Sequence, residues 1–433
     1  MKICVLGLWH LGTVTAACLA AAGHQVIGLD FEESVVEQLR VGQPPLFEPG
    51  LAELVKNGIA QQLLNFTTDI QTAVKEAEIV WVAYDTPVDE EDNANVEFVV
   101  ERVIRLFPYL SATTLVLISS QLPVGSTRRL EQLYATYSSG QSITFAYSPE
   151  NLRLGKAIHI FTHPDRVVVG IRAETDKSRI LPLFQPFAQN IEWMSVESAE
   201  MTKHALNAFL ATSVTFANEI AILCEQVGAD AKEVERGLKS EARIGPKAYL
   251  SPGAAFAGGT LARDINFLTQ LGKQSTRTTP LLSAVRLSNE SHKLWTRHKL
   301  QELLGEQLAG QSIAVWGLTY KPGTDTLRRS SAIELCQWLI KHQARVQAHD
   351  PAVKTLPAEL APQMMLCDSP IKALEQARVL VIATEWPEYQ TITADTIISQ
   401  MITPMVLDPN RFLVKTLGDH RIKYFAVGTP KIV

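Results

Sequence analysis

At 433 residues the chain is long enough for two or three domains. Its 46% hydrophobic and 20% charged residues, with 24 Gly and 22 Pro, exclude a disordered or collagen-like chain. A net charge of −5, from 40 Lys and Arg against 45 Asp and Glu, lacks the basic footprint of a nucleic-acid binder. Ile3 to Gly7 is too short an apolar run for a secretory signal, and no window holds 18 consecutive apolar residues. A soluble protein without a membrane partner is therefore expected. Cys4, Cys18, Cys224, Cys336 and Cys367 are scattered and form no Cys-x-x-Cys pair, which argues against disulfides or zinc and for a reducing, cytoplasmic setting. The ten histidines show no metal-ligand spacing.

In chain order, strands are predicted at Lys2 to Leu6, Gln25 to Leu29 and Ile79 to Ala83, with a first helix from Leu11 to Ala22 stopped by Gly23. Strand, glycine-containing turn, helix and strand within about 30 residues make a βαβ unit. Further runs at Thr114 to Ile118, Ile143 to Ala146 and Arg166 to Val169 extend a doubly wound parallel sheet, so residues 1–195 read as one Rossmann-like domain. From Val196 to about Gln226 there is neither Pro nor Gly, and apolar residues recur at helical spacing, which predicts a spine roughly 45 Å long. A glycine-rich loop, Ser251 to Thr260, interrupts a helical region that closes near Gly305. The βα alternation restarts with a strand at Ile313 to Gly317, a helix at Ala332 to His342, and strands at Arg345 to Ala348 and Val379 to Ala383. The fold class is therefore α/β: two Rossmann-like doubly wound domains, 1–195 and 306–433, joined by a central helical region, 196–305.

The first βα turn reads Gly7-Leu8-Trp9-His10-Leu11-Gly12. Gly7 and Gly12 fit the first and third glycines of a dinucleotide fingerprint, while Trp9 stands where the second lets the backbone approach a pyrophosphate. Asp30 ends the second strand, where an acid binds a ribose 2′-hydroxyl and disfavours a 2′-phosphate, so NAD is the expected cofactor. The alternative is that both glycines only permit close helix–strand packing.

Several separated segments together resemble the UDP-glucose/GDP-mannose dehydrogenase family. They are the first turn, Pro45-Leu46-Phe47-Glu48-Pro49-Gly50-Leu51, Thr86-Pro87, Leu122-Pro123-Val124-Gly125, Ser148-Pro149-Glu150-Asn151-Leu152-Arg153 and Pro164-Asp165-Arg166. Glu200 through Lys203 to Asn207, Arg243-Ile244-Gly245, Gly258-Gly259 with Asp264, and Lys321-Pro322-Gly323-Thr324-Asp325 with Arg328 come next, in order. The resemblance implies a homodimer with an N-terminal NAD domain, a long central helix and a C-terminal domain for the nucleotide of a UDP-sugar. Such enzymes oxidise the sugar C6 alcohol to a carboxylate in two hydride transfers and hold the aldehyde on a cysteine between them.

By the same resemblance, Lys203 and Asn207 stabilise the oxyanion, Asp264 moves a proton through water, and Glu150 lies near the reacting alcohol. Arg243, Tyr249, Gly253, Phe256 and Lys321 join Glu150, Lys203 and Asn207 on the substrate side, Arg243 by reaching across the dimer. Gly7, Trp9, Gly12, Asp30, Thr86, Gln121 and Arg328 face the cofactor. The bland alternatives are a solvated helix charge for Lys203, a solvated charge for Lys321, a helix N-cap for Asp264, a surface carboxylate for Glu150 and ordinary core for Phe256.

The chain departs from the family at the reacting centre. With the frame set by Phe256 and Asp264, Thr260 occupies the catalytic cysteine's position. A thiol titrates near 8.5, whereas an unassisted alcohol stays protonated, and an oxygen ester hydrolyses less readily than a thioester. Cys224 lies 21 residues beyond Lys203 on the predicted spine, about 30 Å away, and no other cysteine is better placed. Gln121, Asn151 and Leu154 are further departures. The expectation is an NAD-dependent nucleotide-sugar dehydrogenase of polysaccharide biosynthesis that acts on C6 of a UDP-hexose and stops at the aldehyde or passes it slowly. A non-catalytic sugar-nucleotide-binding pseudoenzyme and an epimerase without net oxidation stay open.

Overall fold

The computed structural model describes residues 1–89, 94–139, 143–257, 259–305 and 308–430. They form two compact units that divide between Leu206 and Asn207.

The first unit is built on an eight-stranded sheet: β1 (Lys2–Leu6), β2 (Gln25–Leu29), β3 (Leu64–Thr67), β4 (Ile79–Val82), β5 (Leu115–Ile118), β6 (Thr144–Tyr147), β7 (Val167–Ile171) and β8 (Ile191–Ser195). Their order is β3-β2-β1-β4-β5-β6-β7-β8. The central strands are continuous apolar runs because helices cover both faces, as in β4 (Ile-Val-Trp-Val) and β5 (Leu-Val-Leu-Ile). Alternate residues feed two cores: Ile3, Val5, Ile79 and Trp81 on one face, Cys4, Leu6, Val80 and Val82 on the other. The expected all-parallel sheet needs one correction, since β6 and β7 pair antiparallel through Tyr147 and Gly170. The helix between them, Ala157–Thr162, has six residues, about 9 Å, too little to cross a sheet face and return the chain in parallel.

The second unit carries a six-stranded sheet in the order β11-β10-β9-β12-β13-β14, every pair parallel. Its strands are β9 (Ser312–Trp316), β10 (Arg345–His349), β11 (Met365–Leu366), β12 (Val379–Ile382), β13 (Met405–Leu407) and β14 (Lys423–Phe425). The helical stretch expected up to Gly305 resolves into Thr260–Gln274, Pro280–Lys293, with Pro280 at its favoured first position, and Trp295–Leu304.

The spine helix runs from Val196 to Val227, 32 residues, through the division between the units. Its most apolar window has a mean hydropathy of 1.4 and is half buried, so it is long and apolar enough to cross a membrane although no uninterrupted apolar run announces it. Its buried polar residues are nevertheless held: Glu200, Lys203, His204, Asn207, Asn218 and Glu225 each have a hydrogen bond. That is the pattern of a core helix, since in lipid such groups need partners and here protein supplies them.

Candidate active site

The first turn is shaped by two glycines that tolerate no side chain. Gly7 has φ +93°, and a Cβ there would meet the Tyr84 ring at 2.7 Å. A Cβ on Gly12 would overlap the Gly7 carbonyl oxygen. Close packing therefore does operate, and its result is to seat the N-terminus of the helix His10–Ala21 on the turn, where helix N–H groups suit a pyrophosphate. Trp9 caps that helix without a side-chain bond and is 47% exposed, so the indole stands outside the turn and leaves its backbone shape intact. Asp30, buried at the end of β2, accepts from Leu8 N at 2.7 Å and Glu32 N at 3.1 Å. Thr86 donates to the Gln121 carbonyl at 2.8 Å, which joins those two candidates. The glycine cradle, the helix N-terminus and the acid at the second strand's end fit an NAD dinucleotide.

Two motif acids do structural work that sequence reasoning missed. Glu48 is buried and accepts from Gly155 N (2.7 Å), Ala157 N (2.8 Å) and His10 Nε2 (3.0 Å). Glu200, fully buried, accepts from Gly125 N (2.6 Å), Thr127 N (2.9 Å) and Thr127 Oγ1 (2.7 Å), at the start of the helix Ser126–Tyr137. Both carboxylates satisfy orphan backbone donors from remote segments.

Lys203 is buried, which removes the solvated-charge alternative. Its ammonium donates to the Glu150 carbonyl at 2.6 Å and to Asn151 Oδ1 at 3.3 Å, with the Glu150 carboxylate 4.0 Å away. Asn151 thus supplies an acceptor to the lysine. Glu150 Oε2 accepts from Leu152 N at 2.7 Å, so it is held rather than loose at the surface.

In the second unit Asn207 Nδ2 donates to Asp264 Oδ2, and both residues are buried. Asp264 is the fifth residue of its helix, which begins at Thr260 after Gly259, so it is not the N-cap. Thr260 opens that helix and is exposed. Gly258 lies outside the described residues. Phe256 packs against Ala208, Ala211, Ile265 and Val285, so it is partly core. Arg243 is exposed and pairs with Glu241 at 3.0 Å, Tyr249 is exposed, and the Lys321 ammonium lies 5.4 Å from the Tyr320 ring centre. Arg328 is exposed on the segment after β9. Among the described residues, no hydrogen bond or ion pair links Arg243, Tyr249 or Lys321 to Asn207, Asp264 or Thr260.

All five cysteines are buried. Burial pushes Cys4, Cys18 and Cys336 up to about 12 and raises Cys367 as well. Cys224 packs with Ala221, Ala231 and Trp295. The four raised thiols are inert at neutral pH.

Three family models match in order: the UDP-glucose/GDP-mannose dehydrogenase NAD binding domain at residues 1–188, the central domain at 197–291 and the UDP binding domain at 314–415. A UDP-glucose 6-dehydrogenase of Pseudomonas aeruginosa is 33% identical over 446 residues, covering 100% of this chain and 98% of that protein. The UDP-glucose 6-dehydrogenase TuaD of Bacillus subtilis is 32% identical, covering 100% and 94%. Among solved structures, a UDP-glucose dehydrogenase from Pyrobaculum islandicum superposes with a TM-score of 0.88 at 30% identity, covering 99% of this chain and 97% of that one. With a glycine turn that fits NAD and three matched domains along its length, the chain belongs to the UDP-glucose/GDP-mannose dehydrogenase family.

Proposed function

We propose that the chain oxidises the C6 alcohol of a UDP-hexose, UDP-glucose first among the candidates, and releases the product at the aldehyde or carries it onward slowly as the hydrate. The observation that carries this reading is the combination of buried, hydrogen-bonded Lys203, Asn207 and Asp264 with an exposed Thr260 in the nucleophile's place.

NAD, when bound, supplies the hydride acceptor, and Gly7, Gly12, Asp30 and Thr86 are the residues to hold it. The C6–H bond breaks with its electron pair leaving as hydride, while the O6 proton passes through water to Asp264. Lys203 has two of its three ammonium protons on Glu150 and Asn151, and the third meets O6 as negative charge develops. Asn207 adds its second amide proton, the first being on Asp264. Preorganised donors of this kind are worth about a hundredfold to a thousandfold in rate. The second oxidation normally relies on a thiolate adduct. Thr260 offers a hydroxyl that makes no hydrogen bond to a base among the described residues, so the aldehyde proceeds by adding water, losing a second hydride from the hydrate.

Residues 314–415 would hold the UDP moiety, with Lys321 contacting the sugar nucleotide and Arg243 reaching the sugar of a partner copy. A homodimer is supported by the exposed Phe209, Phe216 and Leu223, at seven-residue spacing along the spine helix, an apolar seam suited to a second copy. A cytoplasmic role in supplying polysaccharide precursors fits this chemistry.

The test is incubation with UDP-glucose and NAD, counting NADH per sugar and identifying the product. One equivalent of NADH with aldehyde is expected, Thr260→Cys should shift product to carboxylate, and Lys203→Ala should lose the rate. Two rapid equivalents would overturn the aldehyde stop. An altered stereocentre without NADH would favour epimerisation, and absence of any turnover would favour the binding protein.

A further inference from the structure

Loop 253–256 is held by side chains rather than by its own backbone. Gly253 N donates to Asn218 Oδ1 at 2.9 Å, and Asn218 Nδ2 donates to Ala254 O at 3.4 Å. The Gly253 carbonyl accepts from His292 Nε2 at 2.8 Å. Phe256 N and O each bond the Asn289 amide at 3.0 Å. Ala254 N donates to Asn410 Oδ1 at 2.6 Å. Six backbone groups of one short loop are thus satisfied from outside it, which fixes its path without a helix or strand.

Asn410 differs from the other three. Asn218 lies on the spine helix and Asn289 and His292 on Pro280–Lys293, whereas Asn410 comes after β13, 156 positions beyond Ala254, within the UDP-binding-domain match. Its amide can point only one way. Nδ2 donates to the Glu385 carboxylate, just after β12, so Oδ1 must face the loop. The reverse orientation would set oxygen against carboxylate and N–H against N–H. A Cβ on Gly253 would overlap Asn410 Oδ1, and Gly253 has no positive φ to explain it otherwise. Glycine at 253 is therefore demanded by the approach of Asn410.

We infer that Asn410 is a positioning residue, which by binding Ala254 N and filling the space over Gly253 sets the loop on which the sugar would rest. The domain that holds the nucleotide then also shapes the sugar subsite. The kinetic consequence rests on the proposed function, while the mechanical one does not.

Hydrogen exchange on the full-length protein without substrate tests the mechanical claim. Asn410→Ala should speed exchange at Ala254 by about tenfold, the equivalent of one lost hydrogen bond, with β12 unchanged. Glu385→Gln, which keeps an acceptor for Nδ2, should change it far less. Gly253→Ala should harm the wild type yet add nothing to Asn410→Ala, in thermal stability and in kinetics alike. Steady-state kinetics should show a raised KM for UDP-glucose in Asn410→Ala with the KM for NAD unmoved. Unchanged exchange at Ala254, or additive losses in the double variant, would overturn the inference. A wild type inert toward UDP-sugars would instead remove the proposed substrate and leave the exchange result to decide the positioning claim alone.

Discussion

The chain contains two βα turns of the same design, and they are put to different uses. At the first, Gly7 (φ +93°) donates to Leu29 O at 2.9 Å, and Leu8 N donates to Asp30 Oδ2 at 2.7 Å. At the second, Gly317 (φ +90°) donates to His349 O at 2.8 Å, and Leu318 N donates to Asp350 Oδ2 at 2.7 Å. A hydroxyl closes each: Thr13 on Leu8 O at 2.8 Å, Ser330 on Leu318 O at 2.6 Å. Beyond the turns the two paths diverge. The first turn runs straight into the helix from His10, whereas the second makes an excursion to Ser330 before its helix, Ser331–Lys341, begins. Ser330 caps that helix at Ala332 N, and Asp350 Oδ2 also takes Thr319 N (3.0 Å), Thr319 Oγ1 (3.2 Å) and Trp386 Nε1 (3.1 Å). The second acid takes five donors from its own chain, and the excursion separates the second helix end from its turn. A glycine turn thus becomes a dinucleotide site through the helix end set directly on it and the less occupied acid behind it, rather than through its own conformation.

The harshest way to break this comparison is to add a methyl at each turn. In Gly12→Ala the new Cβ meets the Gly7 carbonyl, and in Gly317→Ala it meets Thr384 N at 2.5 Å with a strained φ besides. Each should cost about 3 kcal/mol or more, lowering the midpoint of the affected unit by roughly 6–12 °C. Only Gly12→Ala should abolish NADH binding, read by fluorescence. Equal loss of NADH binding in both would refute the division of labour. The acids come next. Asp350→Ala strands several buried donors and should cost about 2–4 kcal/mol of stability with NADH affinity kept. Asp30→Ala should cost less stability yet weaken NADH about tenfold, as loss of a charged hydrogen bond to a ribose hydroxyl implies.

The sequence made the first turn readable because Gly7, Gly12 and Asp30 lie within 24 residues and each answers to a local rule. The second stayed a plain strand and turn, since its excursion to Ser330 carries Asp350 33 residues beyond Gly317. Central strands and the spine helix were legible from unbroken apolar runs and helical spacing. Short β3 and the alternating, half-exposed β8 were not, nor was the helix Ala231–Ser240, whose polar sequence carries little apolar signal. At the site, the spacing of Lys203 and Asn207 is a helical repeat and visible. The roles of Glu48, Glu200, Asn151 and Asn410 are long-range contacts, which no local pattern encodes.

A subtler change sharpens the comparison at the helix ends. Leu11 N, near the start of the first helix, donates to Asp85 Oδ2 at 3.4 Å, where the second helix has the neutral Ser330. A carboxylate there opposes a pyrophosphate by charge while leaving the donors exchangeable. Asp85→Asn keeps an acceptor and removes the charge, so ADP-ribose and NADH should bind about two- to fivefold tighter at low salt, the gain shrinking as salt is added. Adenosine, which lacks the pyrophosphate, should be unaffected. Weaker ADP-ribose binding would mean that Asp85 helps to hold the ligand.

The smallest effect separates the turns by pH. Where the first turn has Leu29, the second has His349, whose Nδ1 lies 3.2 Å from the Tyr389 hydroxyl, itself donating to His349 O at 2.9 Å. That hydroxyl has spent its proton, so it accepts from Nδ1–H and selects that tautomer of the neutral ring. Burial lowers the His349 pKa below its usual value, with Asp350 opposing the shift and Lys354 adding to it. Between the folded value and about 6.5 the unfolded chain binds the extra proton, so this residue's contribution makes stability fall as pH drops through that window and is flat above it. His24 and His292 are lowered by burial in the same direction, so they share the slope. Urea unfolding from pH 7.5 to 5.5 should therefore show a shallower pH dependence in His349→Leu than in the wild type, with NADH binding by the first turn untouched. An unchanged slope would place the sensitivity in the other two histidines and leave the turns alike in their response to acid.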